Sequence, residues 1–415
     1  MKLVYKFKHQ YNKNLYRLCE ISKNLYNQAL YMFKKELKDN DRWLFYQDLN
    51  SIMQNVTNLE NEINYKLLKA QVSQQCLRLL DKNIKSYVKS IKDYSKNKTK
   101  YHGKPKLPNY KKDVNILVYT NQSCTIKNGY VNLSKDLKIK IPQYDKYYER
   151  IKNFQQVRIL PNFDKTFDIE IIYDYDCKNE QLNYDLYSSI DLGIDNLITI
   201  IFPDSKPILF NGKTIKSKNQ YFNKTISKLK SKLTNNQKTS KRIRCLYSKR
   251  ERQLNDIFHK ISKQIINLLI DKGIGNLVVG YNKEWKDFIN IGKRNNQTFV
   301  NIPYLKLIDY LKYKCEMCGI ALTINEESYT SKCDGLALEQ IVKHESYLGK
   351  RIKRGLFQSS SGKLINADVN GALNILRKVV SDSDYVNQII DSGWLFQPIR
   401  VNVFENNTLK LMNNF

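Results

Sequence analysis

No stretch of this 415-residue chain is apolar for long enough to span a membrane, and its first residues, MKLVYKFKHQY, lack the apolar run of an export signal. We therefore expect a cytoplasmic protein rather than a membrane-bound or secreted one. A disulfide framework is missing too. The eight cysteines stand mostly alone within apolar or helical patterns, which fits reduced thiols. No internal repeat is visible. Acids are scarce against bases, with 40 Asp plus Glu facing 70 Lys plus Arg and a net charge of +30. A field of that sign attracts a polyanion. Nucleic acid fits best, because each neutralised phosphate releases condensed counterion.

What is present points the same way. Hydrophobic residues make up 41% of the chain, enough for packed cores in two to four domains. The 29 tyrosines are mixed with Lys and Asn, a combination that suits base stacking but also arises from an AT-rich coding sequence. Residues 1–10 alternate apolar and basic, as a strand with one wet face does. Residues 11–98 are helical in pattern. Over 66–91 the apolar positions recur at steps of three and four, and Arg78, Lys82, Lys85, Lys89 and Lys92 form a basic face. The loop SKNKTKYHGKPKLPNYKK (95–112) follows, then short strands over 114–176 spaced as in a small antiparallel barrel or sandwich. From 186 the order becomes strands, a long basic helix over 217–270, a strand at 276–280, a helix at 303–318, a strand at 321–327, a long loop and a helix at 365–380. That order describes an α/β domain with helices covering a sheet. The residues after 381 are polar and weakly patterned, as an appendage would be.

Hydrolysing a phosphodiester with two divalent ions requires carboxylates that converge from different elements. Asp191 ends the apolar run SSID, where an acid is costly unless paired or metal-bound. Asp195, beside Asn196, reads as turn chemistry. Asp368 lies in NADVNGALNI, where it could hold a site or simply occupy a helix start, which favours negative charge. Asn366 and Asn370 flank it, as in a polar site held against a core.

The pair IDLGIDNLIT (190–199) and NADVNGALNI (366–375) resembles the first and third RuvC motifs of TnpB proteins. The resemblance extends to GKPKLPNYKK, VRILP, RERQLNDIFHKISKQII and NIGKRNNQTFVNIPYLKLIDYLKYK. It implies a multidomain α+β protein. A wedge β-barrel would comprise 1–10 plus 99–182, with an inserted helical recognition lobe at 11–98. A RuvC/RNase H-like α/β nuclease domain would follow at 183–380, with a degenerate zinc-ribbon insertion at about 328–364, and then a tail at 381–415. The implied activity is RNA-guided, magnesium-dependent cleavage of double-stranded DNA in the service of a transposable element. Guide RNA and target DNA are the implied partners, and the cytoplasm, on the nucleoid when bound, is the implied location. Asp191 and Asp368 would ligate two magnesium ions.

The sequence departs from the family pattern at two places. Gly280 stands where the second-motif glutamate is expected. The resemblance to relatives that supply this acid from a later strand points to Glu327 in INEESYTSK, with Glu326 as the alternative and Glu284 behind both. Side chains alternate along a strand, so only one of the adjacent pair should face the metals. Only one CxxC is present, Cys315 with Cys318. Four zinc ligands would have to draw on Cys333 and His344 as well, so zinc is not expected. His259 and His344 read as structural or phosphate-facing. The nucleic-acid surfaces are expected at Lys104, Lys106, Lys111 and Lys112; at Lys241, Arg242, Arg244, Lys249, Arg250 and Arg252; at Lys293 and Arg294; and at Arg351, Lys353 and Arg354. Pairing between RNA and DNA would read sequence while these residues hold backbone. Two other readings stand beside this one: a nuclease-dead RNA-guided repressor, favoured by Gly280, and a CRISPR-associated effector of related descent.

Overall fold

The computed structural model describes residues 1–177, 180–234, 236–282, 302–380 and 383–402. The chain forms two compact units, Met1–Asp176 and Cys177–Phe415. No helix among the described residues is long and apolar enough to cross a membrane.

In the first unit the alternation of KLVYKFKH produces strand β1 (Lys2–His9), with its lysines exposed and Leu3, Tyr5 and Phe7 turned inward. Asn12 ends the strand and starts a helix. Its side chain accepts from the Leu15 N–H at 3.0 Å and caps α1 (Lys13–Asn40). Helices α2 (Tyr46–Met53) and α3 (Ala70–Lys96) follow. The chain then runs through β2 (Leu117–Thr120), β3 (Thr125–Lys127), β4 (Tyr130–Asn132), β5 (Lys138–Lys140), α4 (Tyr144–Ile151), β6 (Phe154–Pro161) and β7 (Phe167–Asp174). The strands pair as a four-stranded antiparallel sheet ordered β1-β7-β6-β2 and a separate three-stranded sheet ordered β3-β4-β5. Among the described residues hydrogen bonding closes no cylinder, which is nearer the sandwich alternative than the barrel. Both sheets and the helices share one apolar core, with Leu15, Phe33, Leu80, Val131, Ile139, Val157 and Ile169 fully buried.

The second unit is built on a six-stranded sheet. Strands β8 (Asn183–Leu192), β9 (Asn196–Ile201) and β10 (Ile208–Asn211) form an antiparallel meander. Helices α5 (Lys213–Lys230) and α6 (Lys241–Asp271) lead to β11 (Ile274–Gly280), which pairs parallel to β8. After α7 (Tyr304–Cys318), β12 (Ala321–Asn325) adds parallel to β11. A small antiparallel sheet of β13 (Lys350–Lys353), β14 (Leu356–Gln358) and β15 (Leu364–Asn366) runs directly into α8 (Ala367–Arg377). Helix α9 (Ser383–Asp391) and β16 (Ile399–Val401) complete the unit, β16 pairing parallel to β10. The sheet order is β12-β11-β8-β9-β10-β16.

The period of two along each strand sorts the core into layers. Ile198, Ile200, Ile208 and Phe210 pack with Ile257, Phe258, Ile261, Leu307 and Leu311 of α6 and α7. Their neighbours Ile201 and Leu209 pack instead with Val369, Leu373 and Leu376 of α8 and with Val386 and Ile389 of α9. Helices therefore cover both faces. Two sequence expectations change here. The basic stretch at 217–270 is two helices, because the polar segment 231–240 breaks it and the Ser240 side chain accepts from the Ile243 N–H to start a new one. The residues after 381 are more than an appendage. The apolar spacing of Val386, Ile389 and Leu395 buries them against α8, and residues 399–401 supply an edge strand.

Candidate active site

Strand β8 carries Ser189 and Asp191 on one face, two residues apart. Ser189 Oγ donates to the Ala372 carbonyl of α8 at 2.7 Å, which fixes the helix across the end of the strand. Close approach there depends on Gly371. A Cβ at that position would lie 3.2 Å from Asp191 Oδ2. Asn366 caps α8, its Oδ1 accepting from the N–H groups of Asp368 and Val369 at 3.0 and 3.3 Å, so Asp368 falls in the first helical turn. The third acid arrives just past the end of β12, its N–H donating to Asn282 Oδ1 at 3.0 Å. Strand β11 lies between β8 and β12, and Gly280 at its end leaves the space Glu327 occupies. A Cβ built on Gly280 would sit 3.1 Å from Glu327 Oε2.

Glu326 points elsewhere and pairs with Lys378 at 2.9 Å. Asp191, Glu327 and Asp368 thus come from three elements to one end of the sheet, near enough for their charges to act on one another. Burial, then the charges of Asp368 and Glu327, hold the Asp191 carboxyl well above the usual carboxylate range. Burial, then Glu326, pushes Glu327 up to about 7. Asp368 is held by two partners the sequence reading did not assign: Asn196 Nδ2 donates to its Oδ2 at 2.7 Å, and Arg351 lies 3.5 Å from its Oδ1. Tyr304 was also missed. It is fully buried and donates to the Gly193 carbonyl at 2.8 Å, and its hydroxyl is raised by burial and by the charges of Asp191 and Glu327. Asp195 stands apart in two ion pairs, with Arg354 at 2.7 Å and Lys216 at 3.0 Å.

Among the described residues no three His, Cys, Asp or Glu side chains form a ready coordination cluster. The donor set nonetheless fits a hard divalent cation: hard oxygens from three elements, with one acid strongly opposed by its neighbours' charge. The zinc candidates fit poorly. Cys315, on α7, is buried in the core, Cys333 donates weakly to the Gln340 and Val342 carbonyls, and His344 bonds the Gln340 carbonyl at 2.7 Å. The segment between β12 and α8 is organised by buried acids instead. Asp334, fully buried, accepts from Ser359 Oγ and the Ser360 N–H at 2.7 Å each and from the N–H groups of Leu336 and Ala337. Glu339 accepts from the N–H groups of Asp334 and Leu348. Asn370 and Asn374 face this segment rather than the acids, donating to the carbonyls of Cys333 and Thr330. Asp334→Ala leaves several buried donors unpaired and is expected to cost about 3–5 kcal/mol. Hydrogen exchange should show the loss first at 334–366.

The expected nucleic-acid contacts divide. Lys104, Lys106, Lys112, Lys241, Arg242, Arg244, Lys249, Arg252 and Lys353 are exposed. Lys111 is turned inward, donating to Asn115 Oδ1 at 2.7 Å and lying 4.7 Å from the centre of the Tyr26 ring. Arg250 donates to Asn219 Oδ1 at 2.8 Å. Arg351 and Arg354 pair with the acids named above. Lys293, Arg294 and Glu284 lie outside the described residues. His259 stacks on Tyr310 at 4.2 Å.

The second unit is thus an α/β domain: a mixed sheet of antiparallel meander plus parallel strands, with acids at one end and helices on both faces. Residues 170–286 match the OrfB_IS605 family, described as a probable transposase, and residues 304–375 match the Cas12f1-like TNB domain. The TnpB-like protein ORF457 of Acidianus two-tailed virus is 25% identical over 205 residues, covering 46% of this chain and 42% of that protein, so the match spans less than half of that relative. The cryo-EM structure of a Cas12f1–sgRNA–target DNA complex is 16% identical and aligns over 87% of this chain and 82% of its own, with a TM-score of 0.55; the likeness is one of fold. Over these segments the chain is similar to the OrfB_IS605 family, the Cas12f1-like TNB domain and a TnpB-like protein.

Proposed function

We propose that this protein is an RNA-guided DNA endonuclease of a transposable element, hydrolysing target phosphodiesters at Asp191, Glu327 and Asp368. The observation that carries this reading is the convergence of three acids from separate elements, with Glu327 filling the space left by Gly280. Two magnesium ions held there would supply charge stabilisation for the phosphate and leaving oxygens. Asn196 orients the Asp368 carboxylate, and Arg351 places a cation beside it. Residues 1–10 with 99–182 would serve as the wedge and 11–98 as the recognition lobe, both gripping nucleic acid through exposed lysines. The basic start of α6 would track the heteroduplex backbone. Binding should weaken steeply with salt, by about tenfold or more between 50 and 200 mM, because phosphate contacts release counterion.

Gly280 favours a second reading, an RNA-guided binder that does not cut. Purified protein with its copurifying RNA, incubated with matched plasmid and magnesium, separates the two. Linearised plasmid supports the endonuclease, whereas retained binding without cleavage supports the binder. Sequencing the copurifying RNA tests guidance itself, and random cellular RNA, or none, rules it out. Transposon and CRISPR context is decided by the neighbouring genes.

A further inference from the structure

The first unit carries a cavity of about 440 Å³ that the reading above does not use. One wall is a stripe on α3: Asn83, Ser86, Tyr87 and Ser90, at the helical spacing that puts side chains on one face. The opposite wall is the loop after α3, with Pro105, Lys106, Pro108 and Asn109. Two prolines restrict that backbone, so the wall is set before any ligand arrives. The floor is Tyr26 of α1, 2% exposed, whose hydroxyl accepts from Asn83 Nδ2 at 2.9 Å. The cavity is therefore lined by hydroxyls, amides and aromatic rings. Its rim is cationic: Lys82 and Lys89 neighbour Ser86 along the helix, Lys104 and Lys106 stand on the loop, and all four are exposed.

We propose that this cavity holds one unpaired nucleotide of the guide RNA, its base inside and its phosphates on the lysine rim. The proposal rests on the RNA-guided reading above and adds a defined contact to it. A ring beside amide and hydroxyl groups suits a splayed base, which stacks on an aromatic face while its edge is hydrogen-bonded. A concave site of about 440 Å³ between a helix and a loop has room for an extruded base. Folded RNA supplies such bases in loops and bulges, whereas a target duplex before strand separation supplies none.

The test uses the full chain purified with its RNA. Ser86 is exposed, so Ser86→Trp plugs the cavity and is expected to leave the thermal melt unchanged. Tyr87→Ala removes the ring and Tyr87→Phe keeps it. Affinity for the copurifying RNA, measured by filter binding at fixed salt, should fall roughly 5- to 50-fold for Ser86→Trp and Tyr87→Ala and stay at the wild-type level for Tyr87→Phe. Ultraviolet cross-linking of the wild-type complex should join RNA to the peptide containing Tyr87. Normally folded variants that bind RNA as the wild type does would overturn the cavity assignment and leave the guided reading standing. A cross-link from that peptide to DNA alone would overturn the choice of RNA. A wild-type protein that binds no RNA would remove both.

Discussion

Asp191→Asn and Glu327→Gln are expected to abolish cleavage and at the same time to stabilise the metal-free protein. Losing one ligand removes several kcal/mol of transition-state stabilisation, a fall of about 10³-fold or more in cleavage rate. The stability effect follows from burial. An acid whose folded pKa is raised contributes stability that is fully present below its unfolded pKa and lost as pH rises through the folded one. For Glu327 that window runs from about 4.5 to about 7, so at pH 7.5 the ionised carboxylate works against folding. Glutamine removes that opposition, a gain on the order of 2–3 kcal/mol, or roughly 5 °C or more in Tm for a unit of this size. Asp191→Asn should act in the same direction, since burial and two neighbouring acids oppose its charge. The gap between variant and wild type should close as pH falls toward 4.5 and narrow when magnesium is added, because the ion stabilises the wild type more. Differential scanning fluorimetry with plasmid cleavage measures both. A variant that melts below the wild type at pH 7.5, or still cuts, would show that these acids do not form one charged site.

Gly280→Glu, which adds an acid at the end of β11, is expected to destabilise the protein and to fail to rescue Glu327→Gln. A Cβ at 280 would lie 2.4 Å from Ile375 Cδ1 and 2.9 Å from its Cγ1, and Ile375 is buried within α8. Relieving that overlap forces a core side chain off its rotamer or shifts the helix that carries Asp368, at a cost of about 1–3 kcal/mol. In the single variant a second carboxylate beside Glu327 adds like-charge repulsion to that cost. Melting temperature and plasmid cleavage on the single and double variants check this. Recovery of wild-type cleavage by Gly280→Glu/Glu327→Gln would mean that α8 yields easily and that the placement of the acid is interchangeable.

How much of this was legible in the chain depended on how local each signal was. Asp191 and Asp368 stood out because an acid closing an apolar run, or following an Asn cap, is odd within a few residues of itself. The choice between Glu326 and Glu327 was not local. It was made by Lys378, 52 residues after Glu326, which takes one of the pair into an ion pair. Asn370 looked like a neighbour of the site because it is two residues from Asp368, yet on a helix that spacing turns it to another face, toward Cys333. Asp334 and Glu339 drew no notice, because a buried acid is spelled no differently from an exposed one. That Lys111 bonds Asn115 and Arg250 bonds Asn219 was not legible either, since each partner is set by the fold and not by a local pattern.

The sequence by itself determined the charge, much of the element order and the placing of Asp191 at a strand end and Asp368 at a helix start, since periodicity, capping and composition act between near neighbours. Only the tertiary structure decided which glutamate lies beside Asp191, why a side chain at Gly280 would crowd Ile375, which cations remain exposed, and that buried carboxylates organise the segment between β12 and α8. Those outcomes depend on packing and charge between residues far apart in the chain, whose distances are fixed only when the sheet and its covering helices close together.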